Sequence, residues 1–527
     1  MKKQGFLAGS LTLIISVIIT KVIGAVFRIP LANMLGGTGM GYYSAAYGLF
    51  TLVYAFSSIG LPAAVAKLIS ERGGEGAAHI RNTALRLFGA IGFALSVLCI
   101  PAAFLYCRFI YGTAEALPAV LVIIPSVFFC SVTSVLRGYF EGLQNFRPTA
   151  VSNIIESIVK LTFGLFLCGA VIKNGGTPAL AAAAAVAGVS LSSLAGMVFL
   201  AARTFFGSRE KSRKDSVHNA SATAKTLLAV AVPISLASLV TNLTNLIDIT
   251  AVIPSLEAAV KSDITPFLPL LEAGIPEDTV PQFIFGSFMG LAVTVFNLIP
   301  SFTNMFGKGV LPSFSESYGR GDFVSVKKQA EGLLFTVSVI ALPCGLGISA
   351  LSSPILRFLF PARPAETGTA ELPLFILGIA VVFLCISTAV FSVFQAAGRA
   401  DLPVKLMCGG VAVKLIGNLL LVRIPELNVA GAALSTLFCY ALIFVLSLIY
   451  FEKITRLSPV KIAGVLLKPA FCGLLCAVSA KLSYGALAGF GDITRLFAAV
   501  AAGGLIYLFA GYLLGIFSKE TVKQLTN

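Results

Sequence analysis

Charge and histidine are scarce in this sequence. Asp, Glu, Lys and Arg together supply 12% of its 527 residues, and the only histidines are His79 and His218. A soluble domain carries about 25% charged residues. A chain this poor in charge, with 57% hydrophobic residues and a mean hydropathy of +0.94, has lipid as its solvent. Two histidines leave no His-based metal set, and neither belongs to a Ser/His/Asp arrangement. The ten cysteines include no C-x-x-C pair. Nearly all fall inside apolar runs, where they read as small packing residues. No Walker motif occurs, so the chain itself has no means of hydrolysing ATP. The glycine run from Gly36 to Gly41 has no βαβ unit around it and reads as a flexible outer turn rather than a dinucleotide loop.

Long apolar runs are what the sequence has in abundance. A membrane β-barrel would show short alternating segments; runs such as Ala430–Tyr450 are continuous, so the fold class is an all-α integral membrane protein. Runs of about 20 residues predict about fourteen transmembrane helices, near 7–29, 42–69, 83–107, 117–140, 149–172, 179–205, 225–250, 281–306, 329–351, 371–397, 403–422, 427–451, 461–485 and 493–516. Lys2 and Lys3 before Phe6–Thr20 resemble a signal peptide, but Lys21 and Arg28 interrupt the apolar run beyond Thr20 and no cleavage site stands out, so the segment reads as a retained first helix.

The net charge of +15 is concentrated in short loops, and no basic domain is present to carry nucleic acid. With both termini cytoplasmic, the inner loops collect cations such as Arg72, Arg81, Arg147, Arg209, Lys211, Lys327, Lys328 and Lys453. The outer loops hold few, among them Arg108, Lys173 and Arg423. This is the positive-inside pattern of a multi-pass inner-membrane protein. The basic stretch after the sixth span reads as a cytoplasmic linker between two halves. The resulting division is 1–206, a linker 207–224, 225–452, and two further helices in 453–527. Ala251–Val280 is the longest outer loop, acidic, and predicts a short amphipathic helix at the surface.

An internal repeat supports the two halves. Tyr139-Phe140-Glu141-Gly142 is followed by Pro148 and, twelve residues on, Lys160; Val393-Phe394-Gln395-Ala396 is followed by Pro403 and, eleven residues on, Lys414. An even number of helices per half keeps both in the same orientation, with a pseudo-two-fold axis along the membrane normal.

Charged side chains within spans are costly and therefore informative. Lys21 and Arg28 share a face of the first helix, about 10 Å apart along its axis, with Gly24 between them. They form either a cationic stripe facing an anion-binding cavity or, for Arg28, a residue snorkelling to the interface. Asn153, Glu156 and Lys160 share a face of the fifth helix; Glu156 and Lys160 are spaced to pair, as a structural ion pair or as part of a cavity wall. Lys414 and Asn418 make a similar face in the eleventh helix. Asp248, beyond Asn242 and Asn245, is either an ion-coupling carboxylate for Na+ or H+ or an interfacial one, and Asn297 and Asn304 are placed to face the same space. Arg137 and Glu141 bracket the inner end of the fourth helix and are candidates for gating the cytoplasmic mouth; Lys67 near the inner end of the second reads equally as a snorkelling residue.

Thr20-Lys21-Val22-Ile23-Gly24 with Arg28, Gly60-Leu61-Pro62-Ala63-Ala64-Val65-Ala66-Lys67, Ser134-Val135-Leu136-Arg137-Gly138-Tyr139-Phe140-Glu141-Gly142 with Pro148, and Pro312–Ser317 resemble the stage V sporulation protein B-like polysaccharide flippases. These belong to the multidrug/oligosaccharidyl-lipid/polysaccharide exporter superfamily, which includes the lipid II flippases. The resemblance implies two six-helix bundles around a central cavity, two extra C-terminal helices, and a lipid-pyrophosphate-linked saccharide as cargo. It implies that Lys21 and Arg28 match cavity-facing cations. Lys21 departs from the usual Arg, keeping the charge without bidentate phosphate contact.

The expected function is therefore transport rather than catalysis. The protein is expected to flip a polyprenyl-pyrophosphate-linked saccharide, such as lipid II or a polysaccharide precursor, from the inner to the outer leaflet by alternating access. Lys21, Arg28, Lys160 and Lys414 would hold the pyrophosphate, with Asn153, Glu156 and Asn418 beside them. No cofactor is expected beyond Na+ or H+ coupling and the membrane potential. The expected partners are the lipid-linked saccharide and membrane lipids, not nucleic acid, with a monomeric transport unit. The alternative is a cation-coupled multidrug exporter of the same superfamily, whose cationic cargo would favour buried acids. A membrane glycosyl polymerase would need catalytic groups in a large outer loop, and a non-transporting assembly scaffold remains a further reading.

Overall fold

The computed structural model describes residues 6–58, 60–71, 76–207 and 220–516. Residues 208–219 of the expected linker and the lysines at the two termini lie outside the described residues, as do the side chains of Asn242, Asn245 and Asn304, while the last five linker residues, 220–224, already belong to a helix. Within the described residues all regular structure is helical: α1 (Phe6–Ser58), α2 (Gly60–Glu71), α3 (Ala77–Leu105), α4 (Leu117–Ile123), α5 (Pro125–Gly142), α6 (Arg147–Lys173), α7 (Pro178–Gly207), α8 (Ala220–Ile247), α9 (Ile253–Ser262), α10 (Leu268–Glu272), α11 (Val280–Ser287), α12 (Val293–Phe296), α13 (Leu298–Gly319), α14 (Phe323–Ala350), α15 (Ser352–Leu359), α16 (Pro364–Ala396), α17 (Asp401–Leu421), α18 (Asn428–Thr455), α19 (Pro459–Ala486) and α20 (Asp492–Leu513).

Twelve helices among the described residues are long and apolar enough to cross a membrane. The difference from about fourteen arises in two places. The first two expected spans run together as α1, whose two parts meet at Gly36 (φ 66°, ψ −174°), a backbone conformation open essentially only to glycine. The end of the second expected span is the separate α2. The seventh expected span is helical throughout as α8, Ala220–Ile247, of which only Ala220–Val232 enters the count among the described residues. The glycine run at 36–41 is not a flexible turn: Gly36, Gly37, Gly39, Met40 and Gly41 are buried.

The chain forms two compact units, Met1–Pro254 and Ser255–Asn527. The seventh helix, α8, packs on α1, α2 and α3, so the first unit extends past residue 206. Its core gathers Leu61, Val65 and Ile69 of α2, Phe88 of α3, Leu136 and Phe140 of α5, Leu200 of α7 and Leu227 of α8. Between helices in lipid the attraction is close packing rather than the hydrophobic effect, which favours small residues at crossings. Gly138 and Gly142 of α5 illustrate it: a Cβ on either would lie within 3 Å of Pro62 or Ile69 in α2. Two of the sequence stretches that carry the resemblance, 60–67 and 134–142, are thus the two sides of one helix crossing.

In the second unit α16 packs on α13, α14 and α18, and α17 on α18. The C-terminal α19 and α20 pack on each other and on α14, with the Tyr507 hydroxyl donating to the Val339 carbonyl at 2.8 Å. The loop 251–280 contains a short helix, α9, which buries Ile253, Leu256, Ala259 and Val260.

The repeat is visible in backbone geometry. After α5, Gln144 takes a left-handed conformation (φ 56°), its N–H donates to Glu141, and the Asn145 N–H donates to Phe140. After α16, Gly398 does the same (φ 77°), with N–H bonds from Gly398 to Gln395 and from Arg399 to Phe394. This is the Schellman end of a helix. One residue offset carries Phe140 onto Phe394, Gln144 onto Gly398, the start of α6 at Arg147 onto the start of α17 at Asp401, and Lys160 onto Lys414.

Candidate functional site

The candidate cations of the first unit gather where α1 meets α6. Lys160 Nζ lies 5.0 Å from the ring centre of Phe27 and 5.4 Å from that of Tyr47. Both rings belong to α1, one on each side of the Gly36 break. An ammonium over aromatic faces is held electrostatically without losing its charge. Arg28 is the residue next to Phe27 on α1, and Lys21 lies two turns before it on the same helix. Lys21 is exposed and Arg28 half-buried. A Cβ built on Gly24, between them, meets nothing within 4 Å.

The expected Glu156–Lys160 pair does not form. Glu156 turns instead to Arg137 of α5: Arg137 Nη2 donates to Glu156 Oε1 at 2.6 Å, and Ser152 Oγ donates to the same oxygen at 3.1 Å. Side-chain exposure is 15% for Arg137 and 24% for Glu156, so the pair is largely enclosed. A guanidinium fork offers the carboxylate a stronger, directional partner than a lysine one turn away. Gly196 of α7 leaves the space for it: a Cβ there would overlap the Glu156 carboxylate. Arg137, expected to gate the mouth with Glu141, is therefore committed to this pair. Glu141 lies one turn further along α5, half-buried. Asn153 is half-buried on α6, and its carbonyl accepts from Ser157.

Among the described residues, no carboxylate pairs with Lys21, Arg28 or Lys160; the nearby acid is already taken by Arg137. Lys67 pairs loosely with Glu71 at 3.8 Å on the exposed side of α2.

Several features escaped sequence reading. Tyr43, Tyr47, Phe50 and Tyr54 form a continuous aromatic stack down the second part of α1, with successive ring centres 5.8, 5.9 and 5.3 Å apart. Their i, i+4, i+7, i+11 spacing marks one helix face and was the available signal. Gly196 carried no signal, because its role depends on a side chain from another helix.

Asp248 is buried, 4% exposed, and opens a π-helical stretch, Asp248–Val252, after α8. Such widened turns recur at functional positions. Asn297 is exposed.

Lys414 and Asn418 sit in the second unit, 3% and 0% exposed, on the face of α17 toward α18; Asn418 Oδ1 accepts from Ser435 Oγ. Lys414 occupies the position of Lys160 in the repeat but is more deeply covered.

A many-spanning helical chain with an unneutralised cationic cluster in its spans has the fold of membrane transporters. A solved lipid II flippase MurJ in an inward closed conformation superposes with a TM-score of 0.72 at 16% identity, covering 98% of this chain and 100% of that one. The chain belongs to the polysaccharide biosynthesis protein family, whose model matches residues 6–317. The lipid II flippase MurJ model matches residues 284–491. Two Bacillus subtilis (strain 168) proteins are similar over nearly full length. Stage V sporulation protein B is 25% identical over 543 residues, spanning 100% of this chain and 98% of its own. Lipid II flippase MurJ is 25% identical over 563 residues, spanning 98% and 97%.

Proposed function

We propose that this protein flips a polyprenyl-pyrophosphate-linked saccharide, lipid II or a related polysaccharide precursor, from the inner to the outer leaflet of a bacterial plasma membrane by alternating access. The observation that carries the reading is Lys160 seated over Phe27 and Tyr47 of α1, the helix that also carries Lys21 and Arg28, with the Glu156 carboxylate of its own helix paired to Arg137. A set of cations left without counter-charge in a membrane span calls for an anionic ligand, and a pyrophosphate supplies it. Lys414, at the repeated position, is assigned the same role in the second unit. Tyr47 and Tyr54, the partly exposed members of the aromatic stack beside Lys160, offer apolar faces for sugar rings.

Both termini are assigned to the cytoplasm by loop charge, and the transport unit is taken as a monomer. The inside-negative potential then favours outward movement of an anion by about 2.3 kcal/mol per charge per 100 mV. Asp248 is the carboxylate assigned to Na+ or H+ coupling. A multidrug exporter with cationic cargo fits this cluster poorly, since Lys21, Arg28 and Lys160 would repel it.

The test is transport of a fluorescent polyprenyl-pyrophosphate saccharide in proteoliposomes. Lys21→Ala is expected to abolish flipping while insertion and yield stay normal. Undiminished transport by that variant overturns the assignment.

A further inference from the structure

A second candidate binding site lies away from the cationic cluster. A cavity of about 580 Å³ opens between α3 and the start of α8, lined by Thr83, Arg86, Leu87, Ala90, Ile91, Ala94, Ala220 and Ala224. Apart from Thr83 and Arg86 every lining side chain is apolar, and the alanines make the groove by being small.

Its position along α3 is specific. Arg86 is followed by an uninterrupted apolar stretch, Leu87–Leu105, close to the roughly 20 residues that cross a hydrocarbon core. Arg86 therefore stands at headgroup level, and Leu87–Ala94 descends about 11 Å into hydrocarbon, most of one leaflet's half of a core about 30 Å thick. The flanking α3 side chains Phe93, Val97 and Leu98 are exposed, as on a lipid-facing helix. An apolar groove open to the bilayer is filled by a lipid chain, because water has no partners there.

Charge selects the lipid. Arg86 is exposed, and among the described residues no carboxylate pairs with it; Lys225, next to the lining residue Ala224, adds a second exposed cation. We propose that this groove binds an anionic phospholipid of the inner leaflet, with the phosphate on Arg86, the Thr83 hydroxyl beside it, and one acyl chain along Leu87–Ala94. The cargo's own tail is a poorer occupant: no residue of α1 or α6, where the cationic cluster sits, lines the groove. The proposal uses the cytoplasmic orientation of the loop before α3 but not the identity of the cargo.

The chain has no tryptophan, so one introduced residue reports on one place. Leu87→Trp in the full-length protein is reconstituted into phosphatidylcholine vesicles with increasing brominated phosphatidylglycerol or, separately, brominated phosphatidylcholine. Half-maximal quenching is expected at an about fivefold lower fraction of the anionic lipid. Adding Arg86→Gln should abolish that preference, while Ala90→Phe should weaken quenching by both lipids. A control, Phe497→Trp on an exposed face of α20, in place of Leu87→Trp and combined in turn with Arg86→Gln and Ala90→Phe, should show no preference and verifies that each background is folded and inserted. Equal quenching by the two lipids, or a preference that survives Arg86→Gln, overturns the proposal. So does displacement of the phospholipid by polyprenyl pyrophosphate, which would give the groove to the cargo tail.

Discussion

Arg137 on α5 and Glu156 on α6 face each other at 2.6 Å, and Gly196 on α7 supplies the room in which their charges meet. Removing one member leaves the other enclosed and uncompensated. Arg137→Gln or Glu156→Gln alone is expected to cost roughly 2–4 kcal/mol, read as a lower unfolding midpoint in detergent. The double substitution should recover much of that loss. A double variant as unstable as the sum of the two singles would mean the residues do not stabilise one another.

Two glycines should respond oppositely to the same added methyl. Gly196→Ala forces the Glu156 carboxylate from its place and should lower stability about as much as losing the pair. Gly24→Ala meets open space and gains the helix propensity of alanine, worth about 1 kcal/mol at an interior position. Gly24→Phe should fold equally well yet reduce transport, since the space it fills lies between Lys21 and Arg28. Unchanged transport by Gly24→Phe would remove that face of α1 from the cargo path.

Lys160→Met keeps the stem that packs on α1 but deletes the charge. With a charge-assisted contact worth about 1.5–3 kcal/mol, transport at limiting substrate should fall about tenfold or more, with thermal stability nearly unchanged. Lys160→Arg should restore most of it, because a guanidinium also stacks on aromatic rings. A large stability loss in Lys160→Met with normal specific transport would make the residue structural.

Asp322 precedes α14, outside the spans, and accepts from the Val324 and Ser325 N–H groups at 3.2 and 3.1 Å. The Ser325 side chain first, and then the Ser325 and Val324 N–H groups, hold its carboxyl below the usual carboxylate range. A depressed folded-state pKa means the cap's contribution is complete above the ordinary carboxylate pKa and is lost as pH falls through the lowered value. Hydrogen exchange in the first turn of α14 should accelerate in that acid range. Asp322→Asn should retain the cap and lose the pH response, whereas Asp322→Ala should exchange quickly at every pH. An acid response that persists in Asp322→Asn would assign it to another group.

Much of the fold was legible because each span is a local property of about twenty consecutive residues. The repeated lysines Lys160 and Lys414 were legible for a related reason: a turn and a proline mark their register. What sequence could not supply were relations between helices. Glu156 and Lys160 have the spacing of an intrahelical pair, but an arginine on a neighbouring helix and a glycine on a third decide where the carboxylate points. The continuity of α1 was hidden because a glycine run reads as a loop, although a single residue, Gly36, carries the change of direction. The membership of α8 in the first unit comes from its packing on α1, α2 and α3, which hydropathy does not encode.

The seating of α5 on α2 has a mechanical meaning. Gly138 and Gly142 bring the two backbones so close that neither helix has clearance to slide past the other, and Arg137 is the residue just before the first of those contacts. The guanidinium is thus mounted on a two-helix strut. Any rearrangement that separates Arg137 from Glu156 and releases the acid toward Lys160 has to be made by α6 and α7 shifting against that strut.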